Sequence, residues 1–159
     1  MSHQGAVNVG PLSVADVELI GSWRYPEPYR VYDPARDDLR HEMLHHGTEF
    51  LAVRDSKGLL GFCSFGFDGR VPGGPYDDSA IDVGAGMAPA RVGHGLGRPF
   101  LQAIVDHGFR CFGHNALRAT IASWNERALR AATRVGFRPV CTFNGPGEVE
   151  FTVLFVERG

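Results

Sequence analysis

At 159 residues, with 43% hydrophobic and 21% charged residues, the chain has the size and composition of one globular domain. Such a length buries about two-thirds of the unfolded surface, so neither a disulfide nor a metal is needed to hold it. A formal net charge of -2 without a run of basic residues argues against a nucleic-acid surface. Three scattered cysteines, Cys63, Cys111 and Cys141, read as buried thiols in a reducing compartment. No apolar run approaches about eighteen residues, and no basic N-terminal region precedes a hydrophobic one, so the expected location is the cytoplasm, without membrane partners.

In chain order, a faint first strand falls near Ala6 to Val9. Ser13 is placed as N-cap of a helix through Val14, Val17, Leu19 and Ile20 to about Trp23, with Asp16 positioned for a partial capping box. Trp23 to Tyr32 carries two prolines and four large aromatics, which excludes a regular helix. The segment is either an acceptor-site loop presenting Trp23, Tyr25 and Tyr29 or a hydrophobic plug over the core. A second helix is predicted from Arg36 to His46, closed by Gly47. Thr48 to Arg54 and Leu59 to Phe67 form a hairpin around Asp55-Ser56-Lys57-Gly58. After a Gly, Pro and Asp-rich loop, Ala80 to Met87 is a strand whose Gly84 and Gly86 mark a bulge or a close backbone approach.

The stretch Pro89 to Phe100 then joins this strand to a helix through Gly93, Gly95 and Gly97. Glycines there free the backbone to present amides outward. Downstream, Leu96, Phe100, Leu101, Ile104, Val105, Phe109 and Phe112 share one helical face. Pro99 fits only the first turn, so the helix begins near Gly95 to Gly97 and offers unpaired N–H groups to an anion. The alternative is a tight glycine-rich turn without a ligand. Neither common phosphate loop fits: Lys57 is the lone lysine, far from the segment, and Arg98 stands where a dinucleotide fingerprint needs its third glycine. Beyond the helix come a strand at Leu117 to Ala122, a helix from Asn125 to Val135 closed by Gly136, and strands at Phe137 to Phe143 and Glu148 to Val156. Seven strands and four helices in this order predict an α/β domain with a mixed sheet and helices on both faces.

A competing motif is His41-Glu42-Met43-Leu44-His45, which matches the zinc-hydrolase pattern His-Glu-x-x-His on a helix. No third ligand follows at the spacing that pattern requires, and His46 points elsewhere around the helix.

From Thr48 onward the chain resembles the GNAT superfamily of acyl-CoA-dependent N-acetyltransferases. Two motifs carry the resemblance. Gly95 and Gly97 match the last two positions of the family's Gln/Arg-x-x-Gly-x-Gly/Ala loop, and Asn125-Glu126-Arg127-Ala128 with Gly136-Phe137 resembles its Asn-x-x-Ala and Gly-Phe. The resemblance implies a single domain over 1–159, with an acceptor-side half (1–47), a cofactor core (48–159) and a mostly antiparallel sheet of about seven strands. It implies acetyl-CoA as co-substrate, held by Met87, Val92, Gly93, Gly95, Leu96, Gly97, Arg98 and Asn125, with pantetheine along the strand ending at Met87. No metal is expected, the acceptor is a primary amine, and a homodimer is compatible.

Val92 replaces the usual Gln or Arg, and Arg91 beside it can supply charge. Ala132 stands where many members carry the tyrosine that protonates the departing thiolate, with Tyr25, Tyr29 and Tyr76 as substitutes from loops. For the chemistry, Asp82 is either a general base for the amine or a carboxylate satisfied by a neighbouring arginine. The Met87 backbone N–H is the candidate oxyanion donor. A non-catalytic acyl-CoA-binding domain is the alternative that Ala132 motivates.

Overall fold

The computed structural model describes residues 6–34, 41–43 and 50–159. Of the helix expected at Arg36 to His46, only His41, Glu42 and Met43 fall within this range, and they are helical; Leu44, His45, His46, Gly47 and Thr48 lie outside the described residues.

Among the described residues seven strands form one sheet: β1 (Asn8–Pro11), β2 (Phe50–Asp55), β3 (Gly58–Phe65), β4 (Ile81–Met87), β5 (Ala116–Ala122), β6 (Arg138–Asn144) and β7 (Glu150–Glu157). Their order is β1-β2-β3-β4-β5-β7-β6. The sheet is mixed: β4 and β5 run parallel, whereas β1–β2, β5–β7 and β6–β7 are antiparallel. Parallel neighbours need a crossover, and the long helix α2 (Gly97–Cys111) lies between β4 and β5 in the chain. Helix α1 (Val14–Gly21) follows β1, and α3 (Glu126–Arg134) follows β5.

Contacts gather into two compact units, Met1–Cys63 with Ala85–Leu96 and Ser64–Gly84 with Gly97–Gly159. In the first unit the core comprises Val17, Ile20, Trp23, Met43, Phe50 and Ala88, flanked by Leu12, Leu59 and Phe62. Val17 and Ile20, three residues apart on one face of α1, are buried, while Val14 and Leu19 are exposed. In the second unit α2 buries Phe100, Ile104 and Val105, and strands β5 and β7 bury Leu117, Val153 and Leu154.

Glycines 84 and 86 in β4 answer to close approach. A Cβ on Gly84 would lie 2.6 Å from the Ser64 hydroxyl, and one on Gly86 would lie 2.5 Å from the Phe62 ring. The Asp82 carbonyl accepts from Gly66 N–H, and just past the end of β4 the Ala88 N–H donates to Leu60. Two of the three cysteines are exposed, Cys111 and Cys141, contrary to the expectation of buried thiols. Cys111 ends α2 and Cys141 lies on β6, an edge strand that is exposed along nearly its whole length. Cys63 is buried, and burial pushes its thiol up to about 12.

The capping box of α1 is complete. Asp16 N–H donates to Ser13 Oγ at 3.0 Å and Ser13 N–H returns to Asp16 Oδ2 at 2.8 Å, while Arg54 of β2 pairs with the same carboxylate. Burial alone would raise the Asp16 carboxyl, but the Arg54 and Ser13 donors outweigh it and hold it below its ordinary value. A depressed carboxyl contributes stability that is complete above the unfolded value of about 4 and is lost as pH falls through the folded one. Asp16→Asn is therefore expected to be less stable than the wild type at pH 7, by about 1–2 kcal/mol. Urea denaturation at stepped pH should show that difference shrinking below about pH 4.

Candidate active site

The glycine-rich segment leaves β4 through a short 3-10 turn at Pro89–Arg91 and enters α2 at Gly97. Gly93 and Gly95 have φ of +84° and +75°, and neither would bring an added Cβ within 4 Å of another atom. A left-handed backbone with open space above it turns successive amides toward one side, as in anion-binding nests. Pro99 sits in the first turn of α2, so its missing N–H costs no helical bond.

Arg91 does not lend its charge to this loop. Its guanidinium is paired with Asp55 at the end of β2, and Arg91 in turn holds the Asp55 carboxyl below its usual range. The pair ties the loop's leading edge to the β2–β3 hairpin.

Asp82 lies 2% exposed on β4, directly across from Arg118 on β5, which is 1% exposed. Arg118 Nε donates to Asp82 Oδ1 at 2.7 Å and Nη2 to Oδ2 at 2.9 Å, while Arg70 Nε donates to Oδ2 at 2.8 Å. Arg118 also reaches the Asp77 side chain at 3.1 Å and its carbonyl at 2.9 Å. These carboxylate bonds, Asp82 first, keep the buried guanidinium charged by raising its pKa. Tyr76 packs beneath both arginines, with its hydroxyl accepting from Val71 N–H and bonded to Thr120. Asp77 also accepts from the Ser79 N–H and hydroxyl, as is common in turns.

The aromatic segment divides. Trp23 is 7% exposed and stacks on Phe62, so it belongs to the core, as in the plug reading. Tyr25 is half-buried, and its hydroxyl donates to the Met87 carbonyl at 2.5 Å. Tyr29 opens a 3-10 turn, Tyr29–Tyr32, and is also half-buried. On α3, Asn125 is the N-cap, its Oδ1 accepting from Ala128 N–H at 3.1 Å, and Ala132 is buried. Among the described residues no group of three His, Cys, Asp or Glu gathers to hold a metal.

A family model described as "Acetyltransferase (GNAT) domain" matches residues 10–138. The chain belongs to the GNAT acetyltransferase family. It is accordingly an acyltransferase by family, which displaces the zinc-hydrolase reading of His41-Glu42-Met43-Leu44-His45. No curated protein matches the sequence. Solved GNAT structures share the fold at low identity. A spermidine N-acetyltransferase chimera involving Vibrio cholerae superposes with a TM-score of 0.74 at 16% identity, covering 96% of this chain and 95% of its own. A GNAT acetyltransferase from Bacillus anthracis gives 0.74 at 15%, covering 97% and 96%. An aminoglycoside acetyltransferase, AAC(6')-Ib, in complex with ribostamycin and coenzyme A gives 0.76 at 15%, covering 96% and 94%.

Sequence reasoning about this GNAT domain gave Arg118, Arg70 and Asp55 no role beyond the turn in which Asp55 falls. Arg118 carried a signal, since an arginine between Leu117 and Ala119 of an apolar strand needs a buried acid. Arg70 and Asp55 lie in turn-rich stretches where charge is ordinary, and only the fold brings them to their partners. Asp82→Ala leaves a buried guanidinium short of its main counter-charge, so it should cost about 3–5 kcal/mol of folding stability. Urea denaturation of the purified variant measures that loss.

Proposed function

We propose that this GNAT domain transfers an acetyl group from acetyl-CoA to a primary amine, with the Gly93–Gly97 loop cradling the CoA pyrophosphate. The positive φ of Gly93 and Gly95 under open space carries the proposal. In this reading Val92, Gly93, Gly95, Leu96, Gly97 and Arg98 contribute backbone N–H groups at the start of α2, where the helix dipole favours an anion. Met87 supplies a backbone contact at the end of β4 and polarises the thioester carbonyl. Asn125 holds the N-terminus of α3, and its side chain is the contact to the cofactor in this reading. The whole chain, 1–159, acts as one catalytic domain, with the acceptor bound by residues of the N-terminal part, among them Tyr25 and Tyr29.

Asp82 has the second of its two roles in this proposal. Both of its oxygens already accept from guanidinium groups, so it locks the strands instead of collecting a proton from the amine. The acceptor class is a small cationic amine, supported by solved neighbours that are spermidine and aminoglycoside acetyltransferases. Unpaired cysteines support a reducing, cytoplasmic setting, and among the described residues no helix is long and apolar enough to cross a membrane. A homodimer is the assembly proposed, to be read by light scattering.

Gly97→Glu sets a carboxylate against the pyrophosphate at a position where the Cβ itself fits, 3.6 Å from Ala131. The variant is expected to stay folded by circular dichroism and to lose acetyl-CoA affinity at least about 100-fold by calorimetry. Unchanged affinity would refute the loop assignment. Thiol release across a panel of polyamines, aminoglycosides and peptide amines identifies the acceptor, and cofactor binding without thiol release from any amine would favour a non-catalytic binding domain.

A further inference from the structure

Ala132 is buried and carries no acid, and Tyr76 spends its hydroxyl on Val71 and Thr120. Tyr25 is placed differently. Its backbone N–H donates to Asp33 Oδ1 at 2.7 Å, and the preceding Arg24 is fastened to the Gly21 and Trp23 carbonyls at 3.0 and 2.7 Å. Trp23, one residue further back, is stacked on Phe62 in the core. This anchored stretch aims the phenol at the end of β4, where it meets the Met87 carbonyl.

The edge of the strand that it meets follows from alternation. Ala88 N–H donates to Leu60 on β3, so the N–H and C=O of the preceding residue point to the opposite edge. The Tyr25 hydroxyl therefore lies on the same edge as the Met87 N–H, the group assigned above to the thioester carbonyl.

We infer that Tyr25 is the proton donor to the departing thiolate, an inference that rests on the acetyl-CoA reading of the site. The amine nitrogen forms a bond to the thioester carbon, the carbon–sulfur bond breaks, and its electron pair goes to sulfur. Tyr25 swings its hydroxyl proton from the Met87 carbonyl to that sulfur, and the proton lost by the acetylated nitrogen returns to the tyrosinate through water. The products are an amide and a free thiol, and the tyrosine is restored. A positioned phenol hydroxyl can serve as a general acid in this way.

The test pairs Tyr25→Phe with Tyr25→3,5-difluorotyrosine, whose phenol is more acidic. Tyr25→Phe is expected to bind acetyl-CoA with wild-type affinity by calorimetry. Its single-turnover rate should fall about 100-fold, the low end for a positioned proton donor, and the alkaline limb of the pH–rate profile should vanish. The difluorotyrosine variant keeps the hydroxyl and should move that limb to lower pH. Its fluorine resonance should shift on adding CoA and shift differently with desulfo-CoA, which lacks the sulfur. An unchanged rate with the alkaline limb intact in Tyr25→Phe, or a limb that does not move in the fluorinated variant, overturns the role of Tyr25. Failure of the wild type to bind acetyl-CoA overturns the reading of the site and the inference with it.

Discussion

Arg118 and Asp82 face each other as register partners on the parallel strands β5 and β4, and both are sealed from solvent. Two guanidinium–carboxylate hydrogen bonds join them, and Arg70 and Asp77 complete the set. A charge taken out of water at this depth is tolerated only when paired and hydrogen-bonded, so the strands have little choice of alignment. Slipping β5 by one residue would turn Arg118 to the other face of the sheet and leave Asp82 short of its main partner.

A second ion pair works at the other end of β4. Arg91 and Asp55 hold the start of the loop, while Gly93 and Gly95, on either side of His94, leave open space above the backbone. Anchoring and openness are complementary. A loop fastened at its start has less conformational entropy to lose when it binds a ligand.

Most of the fold was legible in the chain. The capping box at Ser13 and Asp16, the Ser56-Lys57 hairpin, the start of α2 near Pro99 and the Asn125 cap all express local rules that need no tertiary context. Strand ends moved by one or two residues, as hydrogen-bond ladders and not composition set them. The site was legible in part. Gly93 and Gly95 were recognisable because positive φ is a local demand that glycine meets. Asp82 stood between two roles because a carboxylate in a strand looks the same whether a substrate or an arginine meets it. Trp23 and Tyr25 shared one aromatic segment, yet one entered the core and the other reached Met87.

What the sequence by itself determined is the set of properties written within about one turn of chain: element types, caps, the left-handed glycines, and a motif pair specific enough to point to a family. These depend on backbone stereochemistry and on contacts between near neighbours, which travel with the residues. Only the tertiary structure decided the pairings across tens of residues: Arg118 with Asp82, Arg91 with Asp55, Tyr25 with Met87. Charge and hydrogen-bond partners are chosen by distance in space, and the sheet order that brings β4 beside β5 sets those distances.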